Sequence, residues 1–234
     1  MIKIGCCGFP VARERYYKKF SVVEVQSTFY DFVNPKTLEK WRAEAPEDFE
    51  FVLKAFQFIT HPASSPTYRR AKQIDNIRLK NLGNFQPTKE ILECYKILTE
   101  YADILKTKVI IFQSPPGFKP ERENIKNMER FFNKIDRKNL LFGWEPRGNW
   151  LPETIKIVCE KLDLIDVVDP FLRDSTHGKI FYFRLHGGKG YKHKFTDEEL
   201  KTLAEKIKGK TGYVMFNNIK MFEDGQRFMN IGQE

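Results

Sequence analysis

The chain has 234 residues, of which 41% are hydrophobic and 30% are charged, so a mainly disordered protein is excluded. The length fits one α/β barrel of roughly 200 to 250 residues, and we expect a single domain over residues 1–234. A net charge of +9 permits an anionic partner without requiring one. No apolar run reaches the roughly 20 residues that cross a bilayer, and no signal peptide is evident. We therefore expect a cytoplasmic protein with no membrane partner.

Short β-rich runs alternate with helical stretches along the chain, a pattern typical of parallel βαβ units. Strands are predicted at residues 2–6, 22–26, 49–54, 108–113, 140–145, 164–168, 180–185 and 213–216. Helices are predicted at 34–41, 88–105, 121–135, 152–161 and 196–208. The pattern predicts the α/β class and a TIM (β/α)8-type barrel. Its expected irregularity is a long loop after strand 3, and the last predicted helix is the one at residues 196–208.

Polar residues mark the predicted carboxyl ends of the strands, where barrel enzymes carry their chemistry. Glu24 interrupts an apolar strand and needs a cationic partner, because an unpaired buried carboxylate is costly. The candidate partners are Lys54, Arg147 and Arg184, in an ion pair that is either structural or catalytic. Lys54 is interpreted as an anion contact, with base chemistry or plain ion pairing as alternatives.

Glu145 follows Trp144, and an aromatic, partly dry setting can raise a carboxyl pKa for acid or base catalysis. Arg147 could instead hold this carboxyl ionised. His186 precedes two glycines at another strand end and is the expected partner in proton transfer. The candidate catalytic residues are Glu145, His186 and Glu24. The candidate substrate-binding residues are Lys54, Gln26, His61, Gln113, Arg147, Arg184, Asn217 and Asn218.

Two basic stretches support an alternative, nucleic-acid-binding interpretation. The long loop contributes Arg69, Arg70, Lys72, Arg78 and Lys80, and the glycine-rich stretch after strand 7 contributes Lys189 and Lys192. The same residues also fit a solvated helix face and a flexible turn.

No cofactor is predicted, because the sequence contains none of the nucleotide-binding, zinc-protease or nucleophile-elbow motifs. The four cysteines have no C-x-x-C spacing. A divalent metal is a further candidate, with Glu24, Glu145, Asp169 and His186 as its ligands, although their spacing is not diagnostic.

Several segments resemble the YecE-like proteins, also described as domain of unknown function 72, and they cover essentially the whole chain. The most specific are Val-Glu-Val-Gln-Ser-Thr-Phe-Tyr at residues 23–30 and Trp-Glu-Pro-Arg-Gly-Asn-Trp at residues 144–150. The resemblance implies a TIM-barrel-like fold, similar in broad architecture to endonuclease IV and sugar isomerases, and it implies no particular reaction. Cys6, Cys7 and Phe9 depart from the small polar residues and tryptophan usual in that family.

Three hypotheses follow from these observations. The leading one is an enzyme, a hydrolase or an isomerase, that acts on a phosphate- or carboxylate-bearing substrate at the carboxyl ends of the strands. The second is a nucleic-acid-binding protein or nuclease that uses the basic surface. The third is a barrel that binds a ligand without turning it over.

Overall fold

A computed structural model describes residues 1–72, 79–187 and 190–231. Eight parallel strands pair in sequence order, and the last pairs with the first to close a barrel. The strands are β1 (Ile2–Cys7), β2 (Val22–Val25), β3 (Glu50–Lys54), β4 (Val109–Gln113), β5 (Leu141–Glu145), β6 (Leu164–Val168), β7 (Phe181–Leu185) and β8 (Gly212–Phe216). The predicted (β/α)8 fold is confirmed, and every predicted strand end lies within about one residue of the observed end.

The helices in the described ranges are α1 (Arg13–Tyr17), α2 (Ser27–Tyr30), α3 (Pro35–Glu44), α4 (Gln57–Thr60), α5 (Lys89–Leu105), α6 (Arg122–Lys134), α7 (Pro152–Leu162), α8 (Asp197–Ile207) and α9 (Met221–Ile231). The five predicted helices are confirmed as α3, α5, α6, α7 and α8. Local capping explains two of them. The Asn34 side chain accepts a hydrogen bond from the Lys36 amide, and Thr196 forms a capping box with Glu199.

The structure adds a helix that was not predicted, because α9 follows β8 and packs against β1 and β8. The sequence obscures this helix by placing Gly225 in its middle, where glycine disfavours a helix. Tertiary packing requires this glycine, since a Cβ at Gly225 would lie 2.9 Å from the Phe20 ring.

The long connection after β3 contains α4 and two 3₁₀ helices, Pro66–Arg70 and Leu79–Asn81. Arg78 and Lys189, both predicted nucleic-acid contacts, lie outside the described residues. No helix in the described part of the chain is long and apolar enough to cross a membrane.

The interior of the barrel has an apolar filling with polar groups at both ends, namely the Lys3–Glu50 ion pair near the amino ends of the strands and a larger polar cluster at their carboxyl ends. Ten buried side chains form its hydrophobic filling: Cys7, Val22, Val52, Val109, Ile111, Ile165, Val167, Tyr182, Tyr213 and Met215. Because strand side chains alternate between the two faces, a residue two positions beyond an inward-facing one also faces inward. This alternation aims the polar strand-end residues at the barrel axis.

Gly5 permits the close approach of β1 and β2. A Cβ at this position would lie 2.3 Å from the carbonyl oxygen of Val22, an atom that cannot move without shifting β2. We expect Gly5→Ala to lower the free energy of unfolding by about 1–3 kcal/mol, the usual cost of overpacking. The measurement is urea unfolding. Gly117→Ala is the matched control, because nothing lies within 4 Å of its added Cβ. Equal stability of the two variants would contradict this account of the strand packing.

Candidate functional site

A buried guanidinium connects two carboxylates at the polar end of the barrel. Arg184, 0% exposed on β7, donates from Nε and Nη2 to the two carboxylate oxygens of Glu24, at 3.0 and 2.9 Å. Its Nη1 donates to Glu145 on β5. Glu24 also accepts hydrogen bonds from Tyr182, at 2.8 Å, and from the amide of Gln26. Of the three candidate partners for Glu24, the structure therefore pairs it with Arg184.

The charges of this cluster decide its ionisation. Burial opposes the ionised form of Glu145, but Arg184 and then Arg147 outweigh burial and hold the pKa of this carboxyl well below its usual range. Burial also opposes the charge of Arg184, but Glu145 and Glu24 outweigh it and raise the pKa of Arg184. Of the two sequence-based alternatives for Glu145, the raised pKa is wrong, and ionisation by neighbouring arginines is what the structure shows.

His186 lies beside this cluster, above β7. Arg147 Nη2 lies 2.8 Å from Glu145 Oε1 and 2.7 Å from His186 Nε2. A guanidinium can only donate, so the imidazole accepts at Nε2. Burial, reinforced by Arg184, lowers the pKa of His186 despite the opposing effect of Glu145. The Asn217 amide lies 3.2 Å from Nδ1, and Asp169 accepts from the His186 backbone amide at 3.0 Å.

A cavity of about 290 Å³ opens in front of these groups, between the ends of β5, β6 and β7. Arg147, Arg173 and His186 form part of its lining, with Glu145 and Asp169 beside them. The Arg147 side chain is 35% exposed and that of His186 is 20% exposed, so both are accessible to a small molecule. The volume is at the lower end of the range for small-molecule sites.

Lys54 ends β3 and lies in the same layer of the barrel. Its Nζ donates to Gln113 Oε1 at 3.0 Å and lies 3.8 Å from the centre of the Phe29 ring. Gln113 in turn donates to Glu145 Oε2 at 2.7 Å. His61 packs edge-on against the Phe29 ring, and burial together with Lys54 lowers its pKa to about 3. The structure thus brings Lys54, Gln113 and His61 next to the carboxylate cluster.

Asn218 is placed elsewhere. It is fully buried and donates to Asp224 in α9 and to the backbone carbonyl of His193, so it anchors α9 instead of facing the cavity. The basic residues of the alternative interpretation are exposed where the structure describes them, at Arg69, Arg70, Lys72, Lys80 and Lys192.

The four candidate metal ligands named from the sequence do not form one cluster in the described residues. The described part of the chain contains no group of three or more His, Cys, Asp or Glu side chains that could hold a metal ion. The carboxylates of Glu24 and Glu145 both face Arg184, whose positive charge occupies the space where an ion would have to lie.

Two residues of the site were missed from the sequence. Tyr182 lies in an apolar run, yet its hydroxyl supports Glu24. Arg173 lies in the loop after β6, where a bidentate pair with buried Asp166, at 2.6 Å for both hydrogen bonds, fixes it beside the cavity. The alternation of β7 could have indicated Tyr182, whereas no local pattern points to Arg173.

The sequence model of a family described as "Protein of unknown function DUF72" matches residues 12–228. The chain belongs to the DUF72 family. The resemblance seen in the sequence is thereby confirmed. A curated relative, UPF0759 protein YunF of Bacillus subtilis, is 30% identical over 113 residues, which are 48% of this DUF72 chain and 34% of the relative. The match thus spans about a third of the relative's length.

Solved structures show the same barrel. A DUF72 family protein from Enterococcus faecalis superposes with a TM-score of 0.74 at 20% identity, covering 100% of this chain and 98% of that one. One from Thermotoga maritima gives 0.69 at 18% identity, with 100% of both chains covered. Endonuclease IV from Thermus thermophilus is more distant, with a TM-score of 0.54 at 8% identity over 99% of this chain and 97% of that one. At these identities the likenesses show the fold of the DUF72 chain alone.

Removing the Arg184 guanidinium should leave the buried carboxylates of Glu24 and Glu145 without their shared cation. We expect Arg184→Met to lower the free energy of unfolding at pH 7 by about 3–5 kcal/mol, because Glu24 and Glu145 lose a buried partner. Arg130→Met is the control. Arg130 forms an exposed pair with Glu123, so its loss should cost less than about 1 kcal/mol. Denaturant unfolding of both variants tests this expectation.

The pH dependence gives a second readout of the same variant. In the native chain the lowered pKa of Glu145 contributes stability that is present above the unfolded value and lost as the pH falls toward the folded one. Without Arg184, burial acts on Glu145 with Arg147 as the main cation left to oppose it, so its folded pKa should rise above that in the native chain. The variant should then recover part of its loss, because its stability deficit relative to the native chain shrinks as the pH falls from 7 toward 5. A variant that loses no more than the control and shows no such recovery would contradict the charge assignment.

Proposed function

We propose that the protein binds a small phosphate- or carboxylate-bearing compound in the cavity between the ends of β5, β6 and β7, and acts on it as an enzyme. The observation that supports this most directly is the placement of two guanidinium groups, Arg147 and Arg173, in the lining of one cavity. Arginine presents a planar set of donors that matches phosphate and carboxylate oxygens. Both arginines are held by carboxylates, which fixes their positions before a ligand arrives.

His186 supplies the candidate catalytic group. Its lowered pKa leaves the imidazole neutral at pH 7, so Nε2 can accept a proton from a bound substrate once the Arg147 guanidinium turns from it toward the anionic group of that substrate. Glu145, kept ionised, is a positioning and electrostatic group in this proposal and not a proton donor. A neutral base beside an anion site fits isomerisation by proton transfer, and it also fits hydrolysis through activated water.

The nucleic-acid role remains a second candidate because one observation favours it. The basic segment that includes Arg69, Arg70 and Lys72 is anchored beside the end of β2. Arg70 stacks on the Tyr30 ring at 3.6 Å, and the Lys72 backbone amide donates to Asp31 at 2.7 Å. Exposed positive charge is thus held in place close to the mouth of the barrel, where it could contact a phosphate backbone.

Anion binding tests the leading proposal. We expect inorganic phosphate to bind to the wild-type chain, and Arg147→Met to weaken that binding by about tenfold or more, because one charge-assisted contact is lost. Isothermal titration calorimetry measures both affinities. Arg130→Met on the exposed face of α6 removes the same charge far from the cavity and should leave binding unchanged. Equal weakening in the two variants would argue for non-specific charge attraction.

To determine the reaction class, the wild-type protein is incubated in D2O with a mixture of phosphorylated and carboxylated hydroxyketones. Isomerisation replaces the proton next to the carbonyl with deuterium, which proton NMR detects. Hydrolysis of a phosphate ester releases phosphate, which phosphorus NMR detects. Binding without either change would favour the third hypothesis, a ligand-binding barrel.

Salt dependence tests the second candidate. If the basic segment follows a nucleic-acid backbone, binding of a short DNA duplex should weaken steeply between 50 and 200 mM salt. The slope of the logarithm of the binding constant against the logarithm of the salt concentration should be about −0.9 for each phosphate contacted. Replacing Arg69, Lys72 and Lys80 together with Gln should reduce that slope by about two to three. Fluorescence anisotropy measures the binding. A flat salt response, or a slope unchanged in the triple variant, would remove this candidate.

A further inference from the structure

Lys54 is a buried amine whose hydrogen-bond partner is an amide and not a carboxylate. It is 5% exposed, its Nζ donates to Gln113 Oε1 at 3.0 Å, and the Phe29 ring covers it at 3.8 Å. Within the part of the chain that the structure describes, no carboxylate oxygen lies at ion-pair distance from this amine. The two nearby carboxylates are instead paired with Arg184.

The groups that face Lys54 come from four other strands and from the residue after α4. They are Cys7 on β1, Glu24 on β2, Glu145 on β5, Arg184 on β7, and His61. Burial and the positive charge of Arg184 outweigh the attraction of Glu24 and Glu145, and lower the pKa of Lys54 to about 7. An exposed lysine, with a pKa of about 10.4, is almost fully protonated at pH 7. Lys54 therefore has a substantial neutral fraction there.

We propose that Lys54 is a nucleophile that forms an imine with the carbonyl carbon of an aldehyde or ketone, and that the physiological carbonyl compound also carries a phosphate or carboxylate group. The second half of this statement rests on the proposed anion-binding function. The first half rests on the geometry of the amine, which is buried against the Phe29 ring, donates to an amide oxygen and has no carboxylate at ion-pair distance in the described residues. A desolvated lysine next to another cation is a recognised form of activated amine nucleophile.

The chemistry balances without a further reactant. The lone pair of Nζ attacks the carbonyl carbon, a C–N bond forms, and the carbonyl oxygen takes up a proton to give a carbinolamine. In the second step this oxygen leaves as water and the C=N bond forms. The water contains the two protons that the neutral amine carried at the start. The imine withdraws electrons from the adjacent carbon, so a proton there becomes easier for a base to remove. Such activation agrees with isomerisation as the reaction class.

The amine and the anion contacts are connected by a short series of hydrogen bonds. Gln113 accepts from Lys54 and donates to Glu145 at 2.7 Å, and Glu145 lies 2.8 Å from the guanidinium of Arg147. One amide and one carboxylate thus separate the nucleophile from the arginine in the cavity. Gln113 is half-buried and covers the amine on this side. Access of a carbonyl compound to Lys54 therefore requires the Gln113 side chain to turn aside.

Reductive trapping tests the proposal on the full chain. The protein is incubated with pyruvate, dihydroxyacetone phosphate or acetone in the presence of sodium cyanoborohydride, which reduces an imine to a stable secondary amine. Intact mass and peptide mapping then locate the label. We expect one label per chain at Lys54, with a rate that reaches half its maximum near pH 7. Exposed lysines should react appreciably only at higher pH.

Three variants control the experiment. Lys54→Met should lose the single label, and its thermal unfolding shows whether it is folded. Gln113→Glu keeps the lysine and places a carboxylate beside it. If this raises the pKa from about 7 by about one unit, the neutral fraction of the amine and hence the labelling rate at pH 7 should fall by about fivefold. Lys156→Met removes an exposed lysine on α7 and should leave the Lys54 label unchanged.

The outcomes separate this inference from the proposed function. Labels spread over surface lysines without preference for Lys54, or an unchanged rate in Gln113→Glu, would overturn the imine proposal even if phosphate still binds through Arg147. Acetone that labels Lys54 as fast as the two anionic ketones would support the nucleophile and overturn its link to an anion site. Faster labelling by the anionic ketones that is lost in Arg147→Met would support both parts.

Discussion

The ion pairing of Arg184 is the constraint on which the polar end of this barrel depends. A guanidinium that is removed from water must have its donors satisfied, and here two carboxylates from β2 and β5 satisfy three of them. Their partnership connects strands on different sides of the barrel. It also decides the charge state of the neighbours, because Glu145 stays ionised and Lys54 is left without a carboxylate of its own.

Two layers of the barrel interior have separate roles. The lower layer is an apolar filling that includes Val22, Val52 and Val109, with the Lys3–Glu50 ion pair at its amino-terminal side. The upper layer is polar and opens into a cavity of about 290 Å³. Because the filling excludes water, charges placed on top of it interact more strongly than exposed charges would. Burial is accordingly the first cause acting on the pKa values of Lys54, Glu145 and His186.

The strands were accessible from the sequence because they are short β-rich runs, several of them nearly continuous in apolar residues, between helical stretches. The same alternation located most of the candidate site, since Glu24, Lys54, Glu145 and Arg184 all break an apolar strand near its end. Two features escaped this reasoning. The helix α9 contains Gly225, a residue that disfavours a helix but leaves room for the Phe20 ring, about 200 positions away in the chain. Arg173 reaches the cavity through its pair with Asp166, and sequence spacing carries no signal for such a contact.

The sequence by itself determined the family, the barrel, and the set of polar residues at the strand ends, because these follow from local patterns repeated along the chain. Only the tertiary structure decided which charges pair. Glu24 had three candidate cations, and the closure of the barrel brought one of them, Arg184, between Glu24 and Glu145. That choice set the direction of the Glu145 pKa shift and left the Lys54 amine with an amide as its partner. Pairing of this kind depends on distances between strands that are far apart in the chain, and a local pattern cannot encode them.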